Sequence, residues 1–324
     1  MEIDKLKVGD IILIRSNSRI SEMVRRLTNS QYSHAILYVG VSSMIDSDGY
    51  GVQSNNIQRL LIDDPENAVV LRLKRRGTVQ EMFNVETFAR QKIGTEYSTE
   101  EAKIAAVTKD IEAKNPNRQF CTRFVAQAYD NAGFKLVQNP DYCTPEDLLN
   151  SDLLERVPDM LRIASEKELE FANSENPLEK QRDIHNSIFQ KARELTGRDI
   201  QTFEQLGQVI IEMPEIDQEI TNFVRDSGFL TMTEGDIEKN PWHYDAKKMI
   251  EHYKHPEQLF EVAKFYATTE EKTRERLILT LNSLKQANKV IPREYFKMEI
   301  ELYQKLIQFS LQRQTEAMKV LKYS

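Results

Sequence analysis

Short apolar runs separated by turn residues dominate the first half of the chain, and this pattern is typical of β-strands. It predicts strands over residues 9–16, 32–40, 43–53 and 68–76. In the first of them, Ile11 to Ile14 form a continuous apolar run, which indicates a buried strand. A short turn between Gly40 and Ser43 separates the second strand from the third, so we expect these two to form a hairpin.

Helical spacing of apolar residues occurs between these strands and after them. It predicts helices over residues 18–29, 79–93 and 121–132, and a short one over 104–111. A further helix is predicted from Thr144 to about Val157, because threonine is a good N-cap and Pro145 suits the first helical position.

The second half of the chain has an almost entirely helical pattern. Residues 165–183 are polar and charged, and we expect a linker or an exposed helical crossover there. From Ile184 onward, apolar stripes with helical spacing recur and strand signals disappear. The segment 257–287 and the last segment, around Phe296 and Ile307, are long amphipathic candidates. This half is therefore predicted to be a helical bundle or cap of unknown role.

Composition indicates a globular chain of about two domains. Of its 324 residues, 40% are hydrophobic and 29% are charged, and the formal net charge of -7 is spread over both halves. Neither half has the basic surface that nucleic-acid binding requires. No apolar run reaches the ~20 residues of a membrane span, and the first residues show no apolar signal-peptide core. Two cysteines fit a reducing compartment, so we expect a cytoplasmic location.

The strongest chemical signal is Cys121, which begins the helix predicted in the stretch RQFCTRFVAQAYDNAGF. A thiolate in the first helical turn is stabilised by the helix dipole and by backbone N–H groups that lack an intrahelical acceptor. The same N–H groups are suited to hold an oxyanion. Cys121 also lies on an apolar stripe with Phe124 and Val125, so packing in the core is the alternative interpretation.

A cysteine nucleophile needs a base and a third group that orients the base. His34 is the only histidine of the first half, and it lies near the start of the strand predicted over 32–40. Asp46 and Asp48 share one face of the next strand, so either carboxylate can lie across from or diagonal to His34 in a hairpin. Backbone bonding at a strand end is the alternative for the histidine, and turn formation is the alternative for the aspartates.

The order of these motifs resembles that of the permuted papain-like hydrolases of the YiiX/YaeF amidase group. The motifs are GDIIL, YSHAILYVG, MIDSDGYGV, GTEY, FCTRFVAQAY and TPEDLLNSDL, with an amphipathic helix after the first. This group is part of the NlpC-type superfamily, which includes the lecithin:retinol acyltransferase relatives, and its histidine strand precedes its cysteine helix. The resemblance covers about residues 5–160.

The resemblance of the first half and the helical pattern of the second half together predict an α+β protein with two domains. A permuted papain-like (NlpC-type) domain, with an antiparallel sheet and flanking helices, is expected over residues 1–164. An all-α helical domain is expected over residues 165–324.

The resemblance also implies roles for individual residues. Cys121 matches the nucleophile, His34 the base and Asp46 the polar third member, with Asp48 as the alternative acid and a candidate for substrate binding. Tyr97, in GTEY, matches a tyrosine that lines the site in the superfamily. Such chemistry needs neither a metal ion nor an organic cofactor.

Other candidate sites carry weaker signals. His243, His252 and His255 lie close together, but Pro256 interrupts their spacing, so we expect no metal site. Cys143 precedes a predicted helix cap, and we expect a partly exposed loop cysteine there rather than a second reactive thiol.

Three functions are compatible with these residues. The leading hypothesis is a cysteine hydrolase that cleaves an amide bond of peptide or isopeptide type through a Cys-His-Asp site and a thioester. The first alternative is a lipid thioesterase, phospholipase or acyltransferase that uses the same site, and the second is a catalytically inactive binding or scaffold protein. The expected partner is a peptide-like or acyl small substrate, without nucleic acid or a transmembrane segment, and the helical domain is a candidate for protein contacts or oligomerisation.

Overall fold

A six-stranded sheet lies in the first half of the computed structural model, which describes residues 1–15, 22, 25, 26, 30–40, 42–108 and 115–323. The strands are β1 (Ile11–Ile14), β2 (His34–Gly40), β3 (Ser43–Asp48), β4 (Gly51–Asn56), β5 (Ala68–Leu73) and β6 (Leu154–Val157). Their order in the sheet is β4-β3-β2-β1-β5-β6, and all neighbours are antiparallel. The predicted antiparallel sheet is confirmed. The helix predicted over 18–29 lies mostly outside the described residues.

Five helices of the described chain accompany the sheet. They are α1 (Val79–Gln91), α2 (Thr99–Ala105), α3 (Cys121–Asn131), α4 (Pro145–Leu149) and α5 (Glu166–Asn173). The apolar stripe predicted for α3 is buried, with Phe124 and Tyr129 both fully inaccessible to solvent. Gly133, with φ of +86°, follows the end of this helix, as its sequence predicts.

Cores on both faces of the sheet explain why β1 and β2 are continuous apolar runs. Ile11 and Leu13 pack into the core that includes the buried face of α3. Ile12, between them, packs into a second core together with Ile36 of β2. Because successive strand residues point to opposite faces, each apolar residue in these runs has a core to enter.

The single strand predicted over 43–53 is wrong, because two strands, β3 and β4, occupy this segment. A turn at Gly49 and Tyr50 joins them. The Asp48 carboxylate accepts a hydrogen bond of 2.8 Å from the backbone N–H of Tyr50, and this bond closes the turn. The hairpin predicted between β2 and β3 is confirmed, with Gly40 paired to Ser43.

The helix predicted from Thr144 to about Val157 begins as expected but ends at Leu149. Thr144 caps it with a capping box, as the sequence predicts. Beyond it, β6 pairs with β5 at the edge of the sheet. A long-range pairing therefore overrides the local helical pattern in this segment.

The short helix predicted over 104–111 lies earlier in the chain, as α2. Ser98 caps α2 by accepting a hydrogen bond from the backbone N–H of Glu101, so the helix starts at Thr99. Residues 109–114 lie outside the described part of the chain.

The described chain divides into two compact units. One comprises Met1–Arg182 and Gln201–Phe203, and the other comprises Asp183–Ile200 and Glu204–Ser324. The first unit extends past residue 164 and includes α5. Arg59 holds the end of this helix, because its guanidinium lies 4.7 Å from the centroid of the Phe171 ring and donates a 2.7 Å hydrogen bond to the carbonyl of Ser174.

The second unit is helical, as predicted. Its helices are α6 (Pro177–Thr196), α7 (Phe203–Glu212), α8 (Asp217–Asp226), α9 (Met232–Lys239), α10 (Ala246–His252), α11 (Pro256–Val290) and α12 (Glu294–Tyr323), and the first residues of α6 and α7 are counted with the first unit. Asp217 accepts hydrogen bonds from the backbone N–H groups of Glu294 and Tyr295, and so it caps α12. A partly buried ion pair between Glu270 and Arg313 joins α11 to α12.

Candidate active site

Cys121 is the first residue of α3 and is 7% exposed. Phe120 before it is extended, with φ of -140° and ψ of 163°, so the helix starts abruptly at the cysteine. The first N–H groups of a helix have no intrahelical acceptor, and they lie beside this side chain. Cys121 also contributes to the core beneath α3. The residue thus combines core packing with a place at the positive end of a helix.

His34, the first residue of β2, contacts two of the predicted site residues. Its Nε2 lies 2.7 Å from Oδ2 of Asp46, and its ring lies close enough to Cys121 for the two side chains to interact. Burial alone lowers the pKa of His34, but the hydrogen bond to Asp46, the interaction with Cys121 and the negative charges of both outweigh it. The pKa of His34 is therefore raised well above its ordinary value. Since Nε2 is engaged by the carboxylate, Nδ1 is the ring nitrogen available to the thiol.

Asp46 reaches His34 diagonally across the hairpin. Ile36 pairs with Asp46, so the aspartate is offset by two residues from the histidine. The Asp46 side chain is 8% exposed, and that of His34 is 19% exposed, so little water screens their interaction. Oδ1 of Asp46, the other carboxylate oxygen, accepts a 3.1 Å hydrogen bond from Nδ2 of Asn55 on β4.

Asp48, the alternative acid, has other partners. Its carboxylate accepts hydrogen bonds from the backbone N–H of Tyr50 and from Nε2 of Gln53, each at 2.8 Å. Burial raises the pKa of Asp48, and the negative charge of Asp46 adds to this effect. Of the two aspartates, Asp46 is the one that hydrogen-bonds to His34.

Tyr97 lies close to the thiol. Burial raises the pKa of its hydroxyl above the ordinary value, and the negative charges of Cys121 and Asp48 add to the effect. Its backbone forms a parallel bridge with Gln119, two residues before the cysteine. The structure therefore brings Tyr97 to the same place as Cys121.

The loop before Tyr97 is fastened to the start of β4. The N–H of Val52 donates to the carbonyl of Thr95, and the N–H of Gly94 donates to the carbonyl of Val52. Gly51 has φ of +96°, and a Cβ on it would lie 2.6 Å from the Thr95 carbonyl oxygen. Only glycine allows this close approach, which places the tyrosine loop beside the hairpin.

A buried ion pair fastens α2 to the cysteine helix. Arg123 is 0% exposed, and its Nη2 donates a 2.5 Å hydrogen bond to Oε2 of Glu101 in α2. Tyr142 also donates to this carboxylate, and the backbone N–H of Asn115 donates to its other oxygen. Sequence reasoning missed this pair, because charged residues are rarely fully buried.

Two weaker candidates from the sequence are also located by the structure. Cys143 is 2% exposed, so the expectation of a partly exposed thiol is wrong. Its carbonyl accepts a hydrogen bond from the Thr122 hydroxyl, which ties it to α3 and explains its burial.

In the helical unit, His252 stacks on the Trp242 ring at 3.7 Å between centroids. Within the described ranges, no three His, Cys, Asp or Glu side chains are grouped so that they could hold a metal ion.

Comparison with protein families identifies the segment that carries this site. Residues 5–152 match the family described as permuted papain-like amidase enzyme, YaeF/YiiX, C92 family. This segment is similar to the permuted papain-like amidases, a family of hydrolases of the papain-like amidase and peptidase type, and the remaining residues lie outside the match.

A solved structure is similar to part of this chain. It is the crystal structure of metalloprotein yiiX from Escherichia coli O157:H7, at 19% identity over 47% of this chain and 96% of that chain, with a TM-score of 0.38. A search of curated proteins gave no significant match.

Among the described residues, no helix is both long enough and apolar enough to cross a membrane.

Proposed function

We propose that the permuted papain-like domain cleaves an amide bond of peptide or isopeptide type, with Cys121 as nucleophile, His34 as base and Asp46 as orienting acid. The observations that support this proposal are the 2.7 Å hydrogen bond between His34 and Asp46 and the place of Cys121 beside the His34 ring, at the start of α3. A nucleophile, a base and an orienting group in contact are the arrangement that thiol catalysis requires. The alternative of an inactive scaffold does not require this contact.

In the proposed reaction, His34 takes the thiol proton and Cys121 attacks the carbonyl carbon as a thiolate. The resulting oxyanion is held by N–H groups at the start of α3. As the C–N bond breaks, the imidazolium returns the proton to the leaving amine, and a thioester remains on Cys121. His34 then deprotonates a water molecule, which attacks the thioester and releases the acid and the thiol.

The raised pKa of His34 supports this scheme, because an imidazolium that keeps its proton stabilises a neighbouring thiolate. We assign Tyr97 and Asp48 to substrate binding, because each lies close to the reacting residues. The proposed substrate is a small peptide-like or acyl compound. Two cysteines without a disulfide are compatible with a reducing compartment, in which the Cys121 thiol stays available.

Site-resolved alkylation by iodoacetamide tests this proposal. The rate at Cys121 is followed by mass spectrometry between pH 5 and pH 9 for the wild type and for His34→Ala. Because Cys143 is buried, the informative comparison is between variants at Cys121 and not between the two cysteines. The proposal expects fast alkylation of Cys121 at pH 6 in the wild type and a loss of about tenfold or more in His34→Ala, since about one charge-assisted hydrogen bond is removed.

Equal rates in the two proteins would contradict the role of His34. If alkylation of Cys121 depends on His34, the next assay is hydrolysis of a panel of peptide amides and acyl esters, with Cys121→Ala as control. This assay distinguishes an amidase from a lipid thioesterase or acyltransferase. Release of amine from the amides supports the proposal. Turnover of long-chain acyl esters alone would replace it with the lipid alternative.

A further inference from the structure

Asn55 on β4 hydrogen-bonds to Asp46, the residue that contacts the proposed base His34. Its Nδ2 donates to Oδ1 of Asp46, while Oδ2 of the same carboxylate meets His34. Both carboxylate oxygens are therefore engaged, one by the amide and one by the imidazole. A carboxylate held at both oxygens cannot turn away from its partner without losing a hydrogen bond.

The strand geometry explains how Asn55 reaches this position. Asp46 pairs directly with Gln53 of β4, so Asn55 lies two residues further along on the same face. Each amide reaches diagonally to a carboxylate of β3: Asn55 donates to Asp46, and Gln53 donates to Asp48. The amide at 55 therefore supports the aspartate that contacts the histidine, and the amide at 53 supports the other one.

We propose that Asn55 is a positioning residue that holds Asp46 toward His34, so that the base and the thiol stay paired. This inference rests on the proposed function and deepens it. An N–H donor stabilises the charged form of a carboxylate and fixes its direction, and a fixed carboxylate stabilises the imidazolium. Asn55 acts through Asp46 and needs no contact with the substrate.

The chain offers a matched control on the same strand. The Ser54 hydroxyl hydrogen-bonds to that of Ser43 at 3.0 Å, also between β4 and β3. Ser54→Ala removes one part-buried side-chain hydrogen bond from the hairpin, as Asn55→Leu does, but leaves Asp46 untouched. Leucine keeps the branching of asparagine at Cγ and lacks the donor. Asn55→Ala is the second variant in case leucine prevents folding, which circular dichroism establishes first.

The experiment is the alkylation rate of Cys121 against pH in Asn55→Leu, Ser54→Ala, Asp46→Ala and the double variant Asp46→Ala/Asn55→Leu. Asn55→Leu is expected to lower the rate at pH 6 by about tenfold, the effect of losing about one hydrogen bond to a charged group. Ser54→Ala is expected to keep the wild-type pH profile. In the Asp46→Ala background, the Asn55→Leu change is expected to add nothing, because its effect passes through the missing carboxylate.

A wild-type pH profile in Asn55→Leu would overturn the positioning role. So would an equal loss on adding Asn55→Leu to the wild type and to Asp46→Ala, since a merely structural effect is additive. The His34→Ala variant distinguishes a failure of the proposed function from a failure of the positioning role of Asn55. If it leaves Cys121 unchanged, the proposed function fails and the positioning role fails with it; if it lowers the rate while Asn55→Leu does not, only the positioning role fails.

Discussion

Asp46→Asn isolates the charge that we hold responsible for the raised pKa of His34. The substitution keeps the shape of the side chain and its place beside Nε2 but removes the negative charge. A hydrogen bond to a charged group contributes about 1.5–3 kcal/mol and a neutral one about 0.5–1.5 kcal/mol, so about 1–1.5 kcal/mol is lost. At 1.36 kcal/mol per pH unit, the pKa of His34 is expected to fall by about one unit.

The assay is an NMR titration of the histidine ring signals, with the His34 signal assigned by its disappearance in His34→Ala. The chain has five histidines, so the signals are few enough to follow singly. Asp48→Asn is the matched control, because Asp48 lies near His34 but hydrogen-bonds to Tyr50 and Gln53. It is expected to lower the pKa of His34 by clearly less than Asp46→Asn does.

The same shift has a consequence for stability. A histidine with a raised pKa in the folded state stabilises that state fully below its ordinary pKa of about 6.5, and this contribution disappears as pH rises through the folded pKa. Asp46→Asn should therefore lower the free energy of unfolding most below pH 6.5 and progressively less above it. An unchanged His34 titration in Asp46→Asn, or an equal shift in Asp48→Asn, would refute the reasoning.

Two further predictions concern the frame around the site. Arg123→Met leaves the Glu101 charge buried without its partner and should lower the free energy of unfolding by about 3–5 kcal/mol in urea titration. Glu81→Gln, in an exposed ion pair, should change it little, and equal effects would contradict the assigned burial. Gly51→Ala forces a side chain into a left-handed backbone against a neighbouring carbonyl and should cost at least about 1–3 kcal/mol by the same measurement. Gly49→Ala, which has open space, should not, and a Gly51→Ala protein as stable as the wild type would disprove the close approach.

Local sequence patterns were sufficient to predict the strands and helices that are stabilised by burying a continuous apolar surface. β1 and β2 are apolar on both faces, and α3 has a regular stripe closed by Gly133. Such periodicity leaves few alternatives, so these elements could be predicted from the sequence. The contact of His34 with one of two aspartates also follows from strand alternation, but the choice between Asp46 and Asp48 does not.

The choice between Asp46 and Asp48 depends on the register of β3 against β2, and the sequence does not determine this register. Asp48 and Gly49 are a turn signal in the sequence, at the point where β3 ends. Because polar residues continue beyond this turn, the sequence did not indicate that a separate strand, β4, begins there. Once β4 is a separate strand, its alternating amides, Gln53 and Asn55, become partners of the two carboxylates. Without the hairpin, these amides look like ordinary polar loop residues.

Long-range pairing explains the other differences. β6 forms because it meets β5 from a segment about eighty residues earlier, and a four-residue strand carries too little periodicity to be recognised. The Glu101–Arg123 pair likewise joins residues of two helices whose packing the sequence does not reveal. Both are consequences of tertiary contact, not of local propensity.

The most direct test of the central claim is whether Cys121 accepts an acyl group with the help of His34. The wild type, His34→Ala and Cys121→Ala are each mixed with p-nitrophenyl acetate at pH 6, and the acetylated residue is identified by mass spectrometry during the first turnover. We predict an acetyl group on Cys121 in the wild type, a much slower appearance in His34→Ala and none at this position in Cys121→Ala. Acetylation of Cys121 at the same rate with and without His34, or no acetylation of Cys121 at all, would contradict the account.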